Sequence, residues 1–227
     1  ASKDFEYNAR PLPAGSSIDI GAYENKNYPQ ALTYMTEFFA KEKDKSKILG
    51  NDYLYLGKAQ LKAGQDSLAV GNIIEAAKLD STNAEALAEA GKSLYDAKKF
   101  SKSAEVYELA SKYNPNGKGS LYNYLYIGIN RFMESYTLKR EKKPMNLQGL
   151  IQGDSALSHL SKVTPDLAQS YLFRARINDY IDQIQNPTAP KGLMIPFYEK
   201  YITLVKPEEQ ASAKNNLIES YRLLGSW

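Results

Sequence analysis

Two stretches of this chain repeat one pattern of large, small and apolar residues, and this pattern decides the fold. They are residues 53–79, YLYLGKAQLKAGQDSLAVGNIIEAAKL, and residues 87–113, LAEAGKSLYDAKKFSKSAEVYELASKY. Equivalent positions lie 34 residues apart, and they pair Tyr53, Leu56, Gly57, Ala69, Ile73 and Ala76 with Leu87, Ala90, Gly91, Ser103, Tyr107 and Ala110. A pattern of this period indicates stacked pairs of helices.

The small residues of the pattern have a packing role. Gly57 and Gly91 let a neighbouring helix approach the first helix of each pair, and Ala69 does the same for the second helix. Pro115 ends the second copy because proline cannot donate the backbone hydrogen bond of a helix. The pattern resembles the tetratricopeptide repeat (TPR). The resemblance implies an all-α, right-handed superhelical solenoid of about five antiparallel helix pairs plus an unpaired C-terminal helix, about eleven helices with no sheet.

The chain is predicted to form one continuous array behind a short leader. Residues 1–17, which contain two prolines and a Gly-Ser-Ser run, are predicted to be extended, and residues 18–227 are predicted to be a single TPR array. The repeats are expected near residues 18–48, 50–82, 84–117, 121–167 and 168–206, with an incomplete repeat at 211–227. We expect the last helix to be the cut edge of a longer array rather than a C-terminal cap.

Three repeats depart from the standard length. The second helix of the first repeat is predicted to run on into the charged segment 41–47. A polar insertion is predicted at residues 139–152, between the two helices of the fourth repeat. Residues 185–192, which hold two prolines, are predicted to be a loop inside the fifth repeat. Insertions within a helix pair favour a specialised surface over a plain scaffold.

The composition fits a soluble helical protein and excludes several classes. The chain is 43% hydrophobic and 24% charged, and its net charge of +3 is too small to argue for nucleic acid or an anionic membrane surface. The sequence contains no run of about 18 apolar residues, so no transmembrane segment is predicted. The absence of cysteine excludes disulfides and thiolate metal sites.

The titratable residues do not predict an enzyme or a cofactor. The one histidine, His159, lies among Leu157, Leu160 and Val163, where a surface or packing role competes with proton transfer. The acidic residues are spread along predicted helices near lysines, which is typical of solvated faces. No phosphate-binding glycine loop, nucleophile elbow or metal-ligand spacing is present.

The second half carries a more specific resemblance, over about residues 120–227. The motifs are residues 170–176, SYLFRAR, residues 196–202, PFYEKYI, and residues 216–225, NLIESYRLLG. They are similar to those of envelope-associated TPR proteins from Gram-negative anaerobic bacteria. This resemblance implies a non-catalytic protein of the periplasm or cell envelope, with a cytoplasmic location as the alternative.

The TPR resemblance also implies where a partner would bind. In this family the concave wall is built from the first helix of each pair, mainly at its second, fifth, ninth and twelfth positions. Here these positions are Asn51, Leu54, Lys58 and Leu61, then Glu85, Ala88, Lys92 and Tyr95, then Tyr122, Leu125, Ile129 and Phe132, and finally Gln169, Leu172, Arg176 and Asp179.

Two different surfaces follow from these positions. Lys58 and Lys92 match the family's clamp for acidic chaperone tails, or they are two solvated lysines. Leu54 and Ala88 replace other clamp residues, which argues against a chaperone-tail partner. The fourth repeat offers an apolar stripe that Tyr95 would extend, unless residues 139–152 fold back over it. The predicted protein- or peptide-binding residues are Lys58, Lys92, Tyr95, Tyr122, Leu125, Ile129 and Phe132.

Two functions remain open at this stage. The first is a non-catalytic scaffold that holds a peptide or helix of an envelope protein in the concave groove. The second is a carbohydrate-binding accessory protein of the envelope, because tyrosine-rich platforms also suit glycans. The chain has 18 tyrosines but one tryptophan, Trp227, at its end.

Overall fold

A computed structural model describes residues 27–117 and 119–227 of the chain. Within this part the chain forms ten α-helices and no strand. The helices are α1 (Tyr28–Lys41), α2 (Gly50–Lys62), α3 (Asp66–Leu79), α4 (Glu85–Asp96), α5 (Phe100–Tyr113), α6 (Ser120–Arg140), α7 (Leu147–Val163), α8 (Ala168–Gln185), α9 (Ile195–Leu204) and α10 (Gln210–Gly225). The predicted all-α fold is confirmed. The predicted leader at 1–17 and the first helix expected near Ile18 lie outside the described residues.

The chain divides into two compact units. The described part of the first unit comprises residues 27–97 and 112–117, and that of the second comprises residues 98–111 and 119–227. The first unit holds α1 to α4, and the second holds most of α5 together with α6 to α10. The prediction of one continuous array over residues 18–227 stays a prediction.

The core of the first unit depends on close packing of α2 against α3. A Cβ atom at Gly57 would lie 2.7 Å from Cγ1 of Ile73, so a larger residue would not fit without a shift of the helices. On the other side of α2, Leu56 packs with Met35, Phe38 of α1 and other buried apolar side chains. The glycine of the repeat pattern therefore has the packing role that the sequence predicts.

The first described helix is shorter than predicted. The helix α1 ends at Lys41, and residues Lys45–Lys47 form a separate 3-10 turn. Glu42 has extended backbone, and the side chain of Asp44 accepts a hydrogen bond from the backbone N–H of Ser46 at 3.1 Å. The prediction that this helix continues through residues 41–47 was wrong, because Asp44 caps a new turn there.

The predicted polar insertion of the fourth repeat is mostly helical. The helix α6 has 21 residues and continues to Arg140, and α7 begins at Leu147, so only residues 141–146 are non-helical. Gly149 and Gly153 of α7 are buried against the side chain of Arg131 of α6. The prediction of an insertion at 139–152 was wrong because these glycines serve a helix contact rather than a loop.

The end of the second unit is held by an apolar cluster between α8, α9 and α10. Its buried members are Leu172, Ala175, Met194, Tyr198 and Tyr201, and apolar side chains of α10 pack against them. Residues 186–194 connect α8 to α9 without helix, as the sequence predicts for this loop. Asp182 of α8 accepts hydrogen bonds from the backbone N–H groups of Lys191 and Gly192 at 2.9 and 2.7 Å, and so fixes the loop to the helix.

Candidate functional site

The two lysines predicted as site residues in the first unit are engaged in ion pairs. The ammonium of Lys58 lies 2.8 Å from a carboxylate oxygen of Glu89, and that of Lys92 lies 2.7 Å from Asp96. Tyr95 is half-buried. Each lysine therefore already has a carboxylate partner, which weakens the case for a clamp that neutralises an acidic ligand here.

The apolar stripe predicted on α6 is not an open patch. Tyr122 is 65% exposed, but Leu125, Ile129 and Phe132 are buried, at 9% exposure or less. The prediction of an accessible four-residue stripe was therefore wrong for three of its members. Tyr122 remains the accessible residue of the stripe.

Aromatic contacts explain the burial of Phe132. Its ring centroid lies 5.8 Å from that of Phe173 and 5.4 Å from that of Tyr180, both on α8, and 6.0 Å from that of Tyr136 on α6. Packing of α8 against α6 thus uses this ring as core. Residues 139–152, which the sequence suggested as a cover, contribute none of these rings.

A cleft of about 500 Å³ lies in the second unit, lined by α6, α8, α9 and α10. We call it the α6–α8–α10 cleft, after the helices that provide most of its wall. Its lining side chains combine aromatic rings with charges and are Phe132, Met133, Tyr136, Lys139, Arg176, Asp179, Tyr180, Tyr198, Glu219, Arg222 and Leu223. The size and this mixture are typical of a binding site rather than of a packing defect.

The wall of the cleft depends on the length of α6. The equivalent first helix of the second repeat, α2, has 13 residues, whereas α6 has 21. Tyr136 and Lys139 lie in the additional turns of α6. The same segment that the sequence suggested as a cover for the groove therefore contributes part of a cleft wall.

Arg176 of α8 and Glu219 of α10 form a bidentate ion pair in the cleft. The guanidinium makes two parallel hydrogen bonds to the carboxylate, at 2.9 and 2.7 Å, and a third to the side-chain oxygen of Asn216 at 2.9 Å. The hydroxyl of Tyr198 donates to the same carboxylate at 2.8 Å. Burial alone would raise the pKa of Glu219, but Arg176 and Tyr198 offset it and hold the pKa below its usual range.

A second polar chain joins α6 to α8. Lys139 donates to the side-chain oxygen of Gln183 at 2.5 Å, and the amide of Gln183 donates to Asp179 at 2.8 Å. The ammonium of Lys139 also lies 4.6 Å from the ring centre of Tyr180. Burial raises the pKa of Asp179 above its ordinary value, and burial raises the pKa of Tyr180 to about 12.

A second cleft of about 440 Å³ shares Arg176 with the first. It is lined by residues of α8, α9 and α10 and of the short turn before α10. Gln169, Leu172 and Arg176 line this second cleft, and Arg176 and Asp179 line the α6–α8–α10 cleft. These four are the wall positions that the TPR resemblance implies for the fifth repeat, although they were not among the predicted binding residues.

Sequence reasoning missed Tyr136, Lys139, Tyr180 and Arg222. The first two continue the helical spacing of Phe132 at intervals of four and three residues. Tyr136 was expected on the continued helix without a binding role, and Lys139 was assigned to the start of the insertion. Arg222 joins the cleft through the packing of α10 against α9, which no local pattern encodes. The sequence therefore placed Phe132, Arg176 and Asp179 on the groove wall, but only Phe132 was among the predicted binding residues.

Comparison with known proteins identifies the architecture. No protein-family model matches the chain, and no curated protein matches it. Among solved structures, the chain is similar to the C-terminal part of a TPR repeat-containing protein from Cytophaga hutchinsonii, with a TM-score of 0.57 and 25% identity over 88% of this chain and 69% of that one. It also aligns with MamA from Desulfovibrio magneticus, with a TM-score of 0.44 and 16% identity over 81% of this chain and 89% of that one.

Proposed function

We propose that this chain, which has the tetratricopeptide-repeat (TPR) fold, is a non-catalytic scaffold that holds a peptide or helix of a partner protein in the α6–α8–α10 cleft. The fold implies a protein partner, because stacked helix pairs present extended surfaces and act through shape. The proposal concerns which surface is used and what it holds.

The proposal rests on one observation: the cleft combines an exposed aromatic ring with charged side chains that hydrogen bonds hold in place. Tyr136 is 39% exposed at the cleft wall, beside the buried rings of Phe132 and Tyr180. Aromatic residues and arginine supply most of the binding energy at protein interfaces, at roughly 2 kcal/mol or more for each central residue. A ring that is supported from behind by other rings loses little conformational freedom when a ligand covers it.

The same geometry favours a binding role over a chemical one. The carboxylate of Glu219 already accepts hydrogen bonds from Arg176 and Tyr198, so it is held in the charged state and is a poor general acid. In the described part of the chain, no group of three or more His, Asp or Glu side chains is arranged to hold a metal ion. A binding scaffold needs neither a general acid nor a metal site.

A carbohydrate ligand has less support. Sugar-binding platforms use an exposed tryptophan or tyrosine beside groups that hydrogen-bond hydroxyls, whereas Arg176, Glu219 and Asp179 of this cleft already bond to protein groups. Trp227 does not line the cleft and instead lies near Gly192, in the loop between α8 and α9. We therefore rank the peptide ligand first.

The location of the scaffold is also a proposal. The motifs of residues 170–225 resemble envelope-associated TPR proteins, and we propose a periplasmic or envelope location on this basis. Among the described residues, no helix has the length and apolar character needed to cross a membrane.

Site-specific photo-crosslinking in native cells tests the proposed cleft. A photoreactive phenylalanine analogue replaces Tyr136 inside the cleft, and the same analogue replaces Val163, which is exposed on α7 and does not line the cleft. We expect one protein adduct of discrete mass from position 136 and none from position 163. A third position, Tyr122, tests the remaining accessible residue of the sequence-predicted stripe.

The pattern of adducts separates the alternatives. An adduct from position 122 but not from position 136 would mean that the partner binds at the stripe of α6. Adducts from position 163 alone would mean that it binds at α7. An adduct at Tyr136 with a cytoplasmic protein would contradict the envelope location while leaving the scaffold function intact. Retention on a glycan array without any protein adduct would favour the carbohydrate ligand.

A further inference from the structure

We infer that the α6–α8–α10 cleft recognises an acidic segment of its partner, in which an aspartate or glutamate side chain is neutralised by Lys139 and Arg222. This inference rests on the proposed function and adds the chemistry of the partner. It follows from the charges that line the cleft and from the contacts that each of them makes.

The lining charges leave a positive excess. Lys139, Arg176 and Arg222 line the cleft, against Asp179 and Glu219. Arg176 and Glu219 cancel because they form a bidentate pair. Lys139 and Arg222 then face the single carboxylate of Asp179, so the cleft attracts an anion more than a cation.

The two remaining cations keep donors for a ligand. The ammonium of Lys139 has three N–H groups, and the hydrogen bond given to Gln183 goes to a neutral amide oxygen. Arg222 is exposed, and its charge helps to lower the pKa of Glu219, but that carboxylate already accepts hydrogen bonds from Arg176 and Tyr198. By contrast, Lys58 of the first unit already lies 2.8 Å from Glu89.

Asp179 has a different role in this arrangement. One of its oxygens accepts the amide hydrogen of Gln183, and the oxygen of Gln183 accepts from Lys139. The carboxylate therefore fixes the amide, and the amide fixes the ammonium at the cleft wall. Asp179 is a positioning residue for Lys139; burial raises the pKa of Asp179, and its hydrogen bond from Gln183 and the charge of Lys139 oppose that rise.

The side chains around Lys139 indicate what else the partner segment contains besides its acidic residue. Tyr136 presents an exposed ring at the same wall, and the guanidinium carbon of Arg140 lies over that ring, 5.8 Å from its centre. An apolar or aromatic side chain next to the acid would cover the ring of Tyr136 while the acid reaches the cations. The favoured partner is thus a segment that joins acidic residues to an apolar anchor.

Selection from a display library of random dodecapeptides tests the inference with the intact chain. We expect enrichment of Asp and Glu beside an aromatic or aliphatic residue. The best synthetic peptide should lose affinity with Tyr136→Ala, and it should lose about tenfold or more, equivalent to about 1.4 kcal/mol, with Lys139→Gln/Arg222→Gln, because hydrogen bonds to charged groups are stronger than neutral ones. The matched control is Lys162→Gln/Lys214→Gln, which removes the same charge from exposed lysines outside the cleft.

The outcomes distinguish this inference from the proposed function. Peptides that require Tyr136 but contain no acid, or that bind the Lys139→Gln/Arg222→Gln variant equally well, would overturn the acidic partner and leave the scaffold. An equal loss of peptide affinity in the Lys162→Gln/Lys214→Gln control would mean that the overall charge of the protein causes the loss, and it would also overturn the inference. Failure to select any Tyr136-dependent peptide would overturn both. Selection on Lys139→Glu/Arg222→Glu should instead enrich Lys and Arg, and an unchanged acidic preference there would contradict the inference.

Discussion

Gly57 occupies a position at which no side chain fits. A Cβ atom there would lie 2.7 Å from Cγ1 of Ile73 and 2.9 Å from the carbonyl oxygen of Ala69, and the second contact is with backbone. Relief would require α2 and α3 to separate. Gly71, on the exposed side of α3, would meet nothing within 4 Å.

These two glycines should respond to substitution in opposite directions. Gly57→Leu should lower the free energy of unfolding by about 1–3 kcal/mol because it overpacks the helix contact. Gly71→Ala should raise it by up to about 1 kcal/mol, because alanine favours helix and has open space. Urea unfolding followed by circular dichroism measures both. A Gly57→Leu variant as stable as the wild type would show that α2 and α3 do not pack this closely.

Asp182 holds the loop between α8 and α9 through charge-assisted hydrogen bonds. It is buried and accepts from the backbone N–H groups of Lys191, Gly192 and Leu193 and from the amide of Asn186. Burial alone would raise the pKa of Asp182, but these donors together outweigh it and hold the pKa below its ordinary value.

Stability should therefore depend on Asp182 in a pH-dependent way. A carboxyl group with a lowered folded-state pKa stabilises the fold above its unfolded value of about 3.9, and this contribution is lost as the pH falls through the folded value. Asp182→Asn should cost about 2 kcal/mol at neutral pH, because the amide presents its own donors to backbone donors. The difference from the wild type should shrink below about pH 4. A difference that stays constant across that range would contradict the role of the charge.

The sequence predicts one of these two residues and not the other. Gly57 belongs to a period of 34 residues, so its neighbour across the helix contact follows from the repeat. Asp182 acts on backbone N–H groups nine to eleven residues further along the chain, and any residue except proline supplies such a group. No side-chain pattern marks this contact, and the sequence therefore predicts the loop without its anchor.

At the scale of the element, the pair formed by α6 and α7 shows why the predicted insertion is helix. Gly149 and Gly153 leave a channel on α7 that the aliphatic stem of Arg131 fills, and a Cβ atom at Gly153 would lie 2.9 Å from Cβ of Arg131. The guanidinium reaches Glu108 at 3.0 Å and Glu134 at 3.4 Å. Two glycines in a polar stretch are typical of a loop, but here they admit a buried arginine.

The stem of Arg131 should matter more than its charge. Arg131→Met keeps most of the stem between the glycines and removes Nε, which has no hydrogen-bond partner among the described residues. Arg131→Ala empties the channel, and we expect it to cost about 2 kcal/mol more than Arg131→Met. Thermal unfolding of the two variants measures this difference. Equal losses would mean that the ion pairs with Glu108 and Glu134, and not the stem, stabilise the contact.

At the scale of the whole molecule, the repeat period was sufficient for the fold but not for the site. The described helices follow from the pattern of packing residues except for the end of α1 and the start of α7, whereas the binding surface depends on which helices run long and which faces they cover. The apolar spacing of α6 predicted a binding stripe that would be open unless residues 139–152 covered it. In the second unit α8 buries Phe132, and the accessible ring is Tyr136, one turn further along.

The chain's charge distribution leads to a prediction about association. The net charge is +3 for 29 basic and 26 acidic residues, so overall charge provides little steering of a partner.

If Lys139 and Arg222 attract an acidic partner locally, Lys139→Gln/Arg222→Gln should slow association in about 50 mM salt. The effect should largely disappear near 1 M salt, where the screening length falls to about 3 Å. Tyr136→Ala should mainly speed dissociation, because it removes contact formed after the encounter. Surface plasmon resonance separates these rates, with the free partner protein that crosslinking at position 136 identifies. Equal slowing by Lys162→Gln/Lys214→Gln would show that the charge of the whole molecule, and not the cleft, governs the encounter.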